Sequence, residues 1–221
     1  MSADRILIFT ATLNERDNIF EFCKAIFAAS PQSDLLIVDD NSPDGTGHLL
    51  RRMQETEPRL KVIHRPQKLG LGTAHKLAMV YAIKNGYDTL ITMDADWSHA
   101  PEDIPRLIKR LETADFVIGS RYIKGGTCDY VGYRRNISIL ANLAARFLLR
   151  VPTYEFTTSF RAFRIPFLKK IGYGRLRSRG YSFFMEVVYR VHEHGGRIGE
   201  IPIHFADRKA GTSKIPKYEI F

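Results

Sequence analysis

Asp94 and Asp96 stand one residue apart, directly after the apolar run Leu90-Ile91-Thr92-Met93. If that run is a buried strand, both carboxylates emerge at its carboxyl end, with Ala95 between them. Hard oxygen donors in that arrangement suit Mg²⁺ or Mn²⁺, which shares its remaining positions with the oxygens of a diphosphate. Taken alone, the triplet equally describes a solvated turn with a helix-capping aspartate, so its weight comes from its company. A second acidic pair, Asp39-Asp40, follows the apolar run Leu35–Val38. Adjacent carboxylates repel unless a cation or hydrogen-bond donors sit there, and ribose hydroxyls or the edge of a base would serve. The rest of that loop, Asn41-Ser42-Pro43-Asp44-Gly45, also reads as a turn in which Ser42 or Asp44 caps the next helix.

Such acids need strands to hold them. Ile6–Phe9, Leu35–Val38, Val62-Ile63, Thr89–Met93 and Phe116–Ile118 are short apolar runs, the pattern of strands buried on both faces. Between them Asp17–Ala29, Gly45–Glu55, Thr73–Asn85 and Pro101–Leu111 carry apolar residues at three- and four-residue spacing, with Pro101 placed for a first helical turn. Alternating strand and helix predicts an α/β fold with a mostly parallel sheet and right-handed crossovers. Ligands of such sheets bind beyond the carboxyl ends of the strands. Thr12-Leu13-Asn14-Glu15, Asp39-Asp40-Asn41-Ser42 and Asp94-Ala95-Asp96 all fall there, so three strand ends face one site. The second half reads differently: a basic stretch, a helix near Arg134–Arg150, a strand over Ser159–Arg164, a helix near Ser182–His194 and a strand over Ile198–Phe205.

Leu69-Gly70-Leu71-Gly72-Thr73-Ala74 invites a dinucleotide-binding reading. That fingerprint follows the first strand and has an acid about 20 residues later, whereas this one follows the third strand, so a Rossmann dehydrogenase is excluded. Two readings remain open: a glycine turn that opens the next helix, or backbone contact from Gly72 to donor phosphates or nucleoside.

A length of 221 residues and a 44% apolar composition predict one globular domain. The formal charge of +9 attracts nucleic acid, an anionic membrane or a phosphate-rich substrate alike. Two cysteines, Cys23 and Cys128, make no disulfide framework, and with no secretory signal pattern the expectation is a reducing, cytosolic setting. No window holds the roughly 18 consecutive apolar residues of a membrane span. The final segment Lys217-Tyr218-Glu219-Ile220-Phe221 begins like a helix, which leaves an anchoring segment beyond it open.

Taken together, these motifs resemble the family 2 glycosyltransferases of GT-A type, within them the group of dolichyl-phosphate mannosyltransferases and polyprenyl-phosphate glycosyltransferases. The resemblance runs through Thr12–Ile19, Val38–Thr46, Leu69–Ala74, Met93–Asp96 and Gly119-Ser120-Arg121-Tyr122. It continues through Thr157–Arg161, Gly180–Phe183 with Glu186, Glu200–Ile203, Asp207-Arg208, Gly211, Ser213 and Lys214, which covers nearly the whole chain. Their joint occurrence in this order is far more specific than any one of them. It implies a Rossmann-like GT-A sheet, with residues 1–122 binding nucleotide-sugar and metal and residues 123–221 forming the acceptor half.

The resemblance also implies an inverting transfer of a hexose, mannose from GDP-mannose foremost, to a polyprenyl phosphate at the cytoplasmic face of a membrane. Glu15, Asp39 and Asp40 would contact the nucleoside, Asp94 and Asp96 would hold the metal, and Arg208 with Lys214 would close over the diphosphate from a C-terminal loop. Two cations there can neutralise charge on the leaving group. Four positions depart from the family pattern. Its usual proline and tyrosine before Asn14 are Ala11 and Leu13, so the aromatic contact to the base is missing. Ser98 replaces a frequent glutamine, as a weaker metal ligand or one acting through water. Glu155 stands where many members carry aspartate, and is assigned to positioning the acceptor or donor sugar.

On the acceptor side, Arg121, Arg134 and Arg135 follow the fifth strand, and guanidinium groups grip phosphate bidentately. Arg121, Arg134 and Ser138 are assigned by resemblance to the acceptor phosphate. Beyond them Ile137, Leu140, Ala144, Phe147 and Leu148 share one helical face, widened by Ile139 and Leu143. This pattern describes either a core helix or one lying in a membrane interface beside anionic headgroups, a peripheral association. A phosphate acceptor is already anionic near neutral pH and needs no catalytic base, whereas an alcohol acceptor would draw on an acid such as Glu155 or Glu186.

A transferase of the same fold using a UDP-sugar or a hydroxyl acceptor differs in donor base and acceptor charge. A nucleic-acid binder would explain the charge and Gly174–Arg179, but the basic residues are spread along the chain and no recognition motif occurs. A silent nucleotide-sugar binder would tolerate loss of Asp94, Asp96, Arg208 or Lys214, and all four are present.

Overall fold

The computed structural model describes residues 4–178 and 180–207. Strands β1 (Ile6–Thr12), β2 (Asp34–Asp39), β3 (Leu60–His64) and β4 (Thr89–Thr92) alternate with helices α1 (Arg16–Ala29), α2 (Thr46–Thr56) and α3 (Leu71–Lys84). A 3-10 turn over Pro101–Asp103 leads into α4 (Ile104–Leu111), then β5 (Phe116–Ser120), the short β6 (Thr127–Cys128) and α5 (Tyr133–Leu149). The described residues continue with β7 (Arg161–Arg164), α6 (Ile165–Lys170), α7 (Gly180–Glu193), β8 (Ile198–Pro202) and β9 (His204–Phe205).

Among the described residues seven strands form one sheet in the order β3-β2-β1-β4-β7-β5-β8. Only β7 runs antiparallel, pairing Thr92 with Arg161 on one side and Ile118 with Arg161 on the other. The apolar runs are continuous because both faces are covered, as parallel sheets require. Leu7, Phe9, Leu36, Val38 and Leu90 face the layer of α3, α6 and α7, while Ile8, Leu35, Ile37 and Ile91 face that of α1, α2 and α4. The expected strand over Ile198–Phe205 divides: β8 ends at Pro202, and His204-Phe205 leaves the sheet to pair with Thr127-Cys128 in a separate two-stranded ribbon. The register sets the site, because β2, β1 and β4 are neighbours: β1 and β2 end opposite each other at Thr12 and Asp39, and β4 stops at Thr92, opposite Phe9.

Candidate active site

Each of the three strand ends turns through a non-glycine residue in the left-handed region: Asn14 (φ 58°) after β1, Asn41 (φ 56°) after β2 and Trp97 (φ 67°) after β4. Asparagine tolerates that conformation, whereas tryptophan is strained there and must be held by its surroundings. The Trp97 ring meets Phe22 edge-on at 5.3 Å. The turn brings Ser98 back onto Asp96, whose Oδ1 accepts the Ser98 N–H at 3.0 Å and the Ser98 hydroxyl at 2.6 Å. Ser98, expected among the metal ligands, is buried and donates its hydroxyl to Asp96, a bond that orients that carboxylate. Ala95 is buried between the two aspartates.

The two carboxylates differ in surroundings. Asp96 is 5% exposed, whereas the Asp94 side chain is 36% exposed. Asp94 is held through its main chain: its N–H donates to Nδ1 of His99 at 3.1 Å. His99 is wholly buried, stacked on Phe160 at 5.1 Å and met edge-on by Phe205 at 5.2 Å. Burial pushes its imidazole down to about 4, so the ring is neutral near pH 7. No three histidine, cysteine or acidic side chains gather into a metal-binding group among the described residues. A two-carboxylate end of this kind suits a hard divalent cation that takes its other ligands from phosphate and water.

Asp39 and Asp40 lie side by side as expected, but the groups that reconcile their charges belong to the protein. Asp39 Oδ1 accepts from the hydroxyls of Thr12, at 3.1 Å, and Ser42, and His64 lies 3.5 Å from Oδ2. Asp40 is paired with the buried guanidinium of Arg65, which also donates to Thr73 Oγ1 at 2.6 Å. The second acid is thus tied to the head of α3. Asp44, not Ser42, serves the next helix, accepting the Thr46 N–H at 2.9 Å. Glu15 is buried at the start of α1, with its Oε2 accepting from Asn18 at 2.9 Å and its N–H donating to Thr46. Ala11 and Leu13 are half-buried beside it. A Cβ on Gly72 would lie 3.3 Å from the Phe183 ring, which gives this glycine a packing reason between α3 and α7.

Across the sheet, Arg121 and Glu155 face each other. Arg121 Nε and Nη2 donate to Oε2 and Oε1 of Glu155, each at 2.8 Å, and both side chains are buried. Glu155 also accepts the N–H groups of Thr157 at 3.0 Å and Thr158 at 3.2 Å. Burial alone would raise the Glu155 carboxyl, but Arg121 and the Thr157 donors outweigh it and hold it below its ordinary value of 4.5. Arg121, assigned to the acceptor phosphate, and Glu155, assigned to positioning a sugar, thus form a buried pair that shapes the loop before β7. Ser138, half-buried, accepts from the Tyr122 hydroxyl at 2.6 Å. Arg134 lies in the first turn of α5 with its side chain outside the described residues, where Arg208 and Lys214 also fall.

Three features escaped the sequence reading. Arg161 is fully buried and donates to the carbonyl oxygens of Phe156, Thr158 and Phe184, pinning the same loop from beneath. Tyr130 meets the Phe205 ring edge-on at 5.4 Å, and its hydroxyl is pushed up to about 12, first by burial, then by Tyr181, with Asp94 and Asp96 adding to the shift against Arg121. His99 is the third, and its signal was available, a histidine three residues past Asp96 in a stretch with no helical or strand period. The helix α5 turns its apolar face outward: Leu140 is 67%, Leu143 53%, Phe147 82% and Leu148 75% exposed, while Asn142 and Ala145 face inward.

The family model for glycosyl transferase family 2 matches residues 7–172. The polyprenol monophosphomannose synthase of Mycolicibacterium smegmatis is 40% identical over 214 residues, 96% of this chain and 81% of that one. The undecaprenyl-phosphate mannosyltransferase of Micrococcus luteus is 38% identical over 212 residues, 96% of this chain and 87% of that one. Among solved structures, glucosyl-3-phosphoglycerate synthase from Mycobacterium tuberculosis, in complex with Mn²⁺, UDP and phosphoglyceric acid, superposes with a TM-score of 0.67 at 18% identity, covering 98% of this chain and 73% of that one. A mannosyltransferase from Pyrobaculum calidifontis in complex with GDP-Man and Mn²⁺ superposes with a TM-score of 0.62 at 18% identity. That match covers 93% of this chain, which spans little over half, 57%, of the archaeal one.

Proposed function

The chain belongs to glycosyl transferase family 2, and from that premise we propose that it transfers mannose, with inversion, from GDP-mannose to a polyprenyl phosphate. The observation that carries the reading is the end of β4, where Asp94 and Asp96 lie beside the ends of β1 and β2 in a chain alike over nearly its whole length to two polyprenyl-phosphate mannosyl enzymes. Asp94 and Asp96 are the groups that would hold Mn²⁺ or Mg²⁺. Such a cation, when bound, offsets the charge that develops on the departing diphosphate.

The rest is done by the chain itself. The nucleoside would lie against Glu15 and Asp39, whose neighbours Asn18, Thr12 and Ser42 hold their carboxylates in place. Ala11 and Leu13 would flank it, Asp40 would act through Arg65, and Gly72 would keep the head of α3 close. Arg208 and Lys214 would add positive charge at the diphosphate. The acceptor would meet Arg134 and Ser138 at the start of α5, so that residues 1–122 serve the donor and 123–221 the acceptor. With Glu155 held by Arg121 and Glu186 accepting the N–H groups of Arg177 and Ser178, neither acid is poised as a base. A phosphate acceptor, anionic near neutral pH, requires none.

The same reading places the enzyme on a membrane surface. No helix among the described residues is long and apolar enough to cross a bilayer. The outward face of α5, with Arg135, Arg146 and Arg150 on the same helix or at its end, has the composition of an interfacial helix at an anionic cytoplasmic leaflet. The test is transfer of labelled sugar from GDP-mannose and from UDP-glucose to a short polyprenyl phosphate and to the parent polyprenol, with Mg²⁺, Mn²⁺ or chelator. Metal-dependent mannosyl product on the phosphate alone is expected. Product on the polyprenol would overturn the acceptor, and product from UDP-glucose alone would overturn the donor.

A further inference from the structure

The buried polar groups between the two sides of the site form one chain with His99 at its centre. Strand β4 ends at Thr92, so the Asp94 N–H lies beyond the ladder and needs a partner of its own. It finds Nδ1 of His99 at 3.1 Å. That nitrogen is therefore the acceptor, the proton resides on Nε2, and Nε2–H donates to Thr158 Oγ1 at 3.0 Å. The Thr158 N–H in turn donates to Glu155, which is locked to Arg121. Phe160 stacks on one face of the imidazole and Phe205 meets it edge-on, so the ring cannot rotate away.

A histidine used only to fill this space would need no nitrogen at either position. Here both ring nitrogens are used, and they join the peptide that carries Asp94 to the loop that precedes β7. We propose that His99 is a positioning residue of the metal clamp, holding the Asp94 peptide through Nδ1 so that the Asp94 and Asp96 carboxylates keep the separation a divalent cation requires. It acts through the main chain and not as a ligand: its Nδ1 already accepts the hydrogen bond of the Asp94 amide and its Nε2–H donates to Thr158. The proposal rests on the glycosyl-transfer reading of the same site. Outer partners of metal ligands alter affinity on the order of 10–100-fold, because a ligand that is free to rotate binds less well.

The experiment compares His99→Asn with His99→Gln, using calorimetric titration of Mn²⁺ into protein with GDP, titration of GDP in chelator, and thermal unfolding. Asparagine can place an amide oxygen where Nδ1 stood and so still accept the Asp94 N–H. Glutamine reaches the Thr158 end and leaves that N–H unpaired. Both variants remove the ring, so packing losses are shared and show in the melting temperature. His99→Asn is expected to keep Mn²⁺ affinity within a few-fold of the parent, while His99→Gln loses roughly 10–100-fold, with GDP binding in chelator alike in all three. Equal Mn²⁺ affinities in the two variants would overturn the proposal. A parent protein that binds no Mn²⁺ in the presence of GDP would overturn the clamp reading itself, and His99 with it. Transfer assays add a second readout: excess Mn²⁺ is expected to restore turnover in His99→Gln, which a purely structural defect would not allow.

Discussion

Arg121 and Glu155 hold each other through two parallel hydrogen bonds of 2.8 Å, out of reach of water, at the point where β5 leaves the sheet and the loop before β7 enters it. Thirty-four residues separate them in sequence. A bidentate pair of this kind fixes direction as well as distance. It explains how an irregular loop can be as well placed as a strand.

Breaking that pair from one side leaves the other charge buried. Glu155→Gln is expected to destabilise the fold by about 3–5 kcal/mol, read as a lower urea midpoint, because the Arg121 guanidinium then has no counter-charge. The folded carboxyl lies below its ordinary value of 4.5, so its contribution is complete above about pH 4.5 and fades as pH falls through the folded value. The parent should therefore lose stability on acidification over a range in which Glu155→Gln shows less change. Matching acid profiles would rule this out.

In the proposed metal clamp, Asp96 and Ser98 separate ligand from support. Asp96→Ala should abolish transfer with the melting curve little changed, since the lost carboxylate serves the site and not the core. Ser98→Ala removes one donor to Asp96 and should lower turnover about 10-fold, with part of the loss recovered at high Mn²⁺. Normal turnover in Asp96→Ala would end the metal-clamp reading.

Two glycines should respond differently to alanine. At Gly126 a Cβ would lie 2.6 Å from the Ser120 carbonyl oxygen and 2.8 Å from the Arg121 main chain, groups that cannot yield. At Gly72 the neighbour at 3.3 Å is the Phe183 side chain, which can shift, and alanine is the better helix former. Gly126→Ala is expected to cost about 1–3 kcal/mol and Gly72→Ala less. Differential scanning calorimetry of both decides it, and the reverse order would refute the packing argument.

Replacing Leu140 and Phe147 together by aspartate should leave the fold unchanged, since both are more than half exposed. Flotation with anionic lipid vesicles should lose most of its bound protein in that variant, because two apolar contacts go and two like charges meet the headgroups. Undiminished flotation would remove α5 from the membrane contact.

What the sequence disclosed follows from what is local. The ends of β1, β2 and β4 were legible because a buried parallel strand is a continuous apolar run and its ligand-facing end is polar. The partners of those end groups were not. Asp40 and Arg65 are 25 residues apart, and His99 reaches Thr158 across 59, distances at which no spacing rule operates. The reversed direction of β7 left no mark either, since a strand of four residues has the same composition in both directions. For α5 the apolar stripe was read correctly, but a stripe does not say which way it turns.

Strand β7 lies between β4 and β5 in the sheet although it follows both in the chain. While the polypeptide leaves the ribosome, β1 to β4 can assemble as soon as they are made, whereas β5 has no sheet partner until β7 and β8 arrive. Until then β4 is a bare edge, a row of unpaired amides and carbonyls of the kind that invites pairing with another chain. The growing chain is most exposed to mispairing between the emergence of Leu90 and that of Arg164.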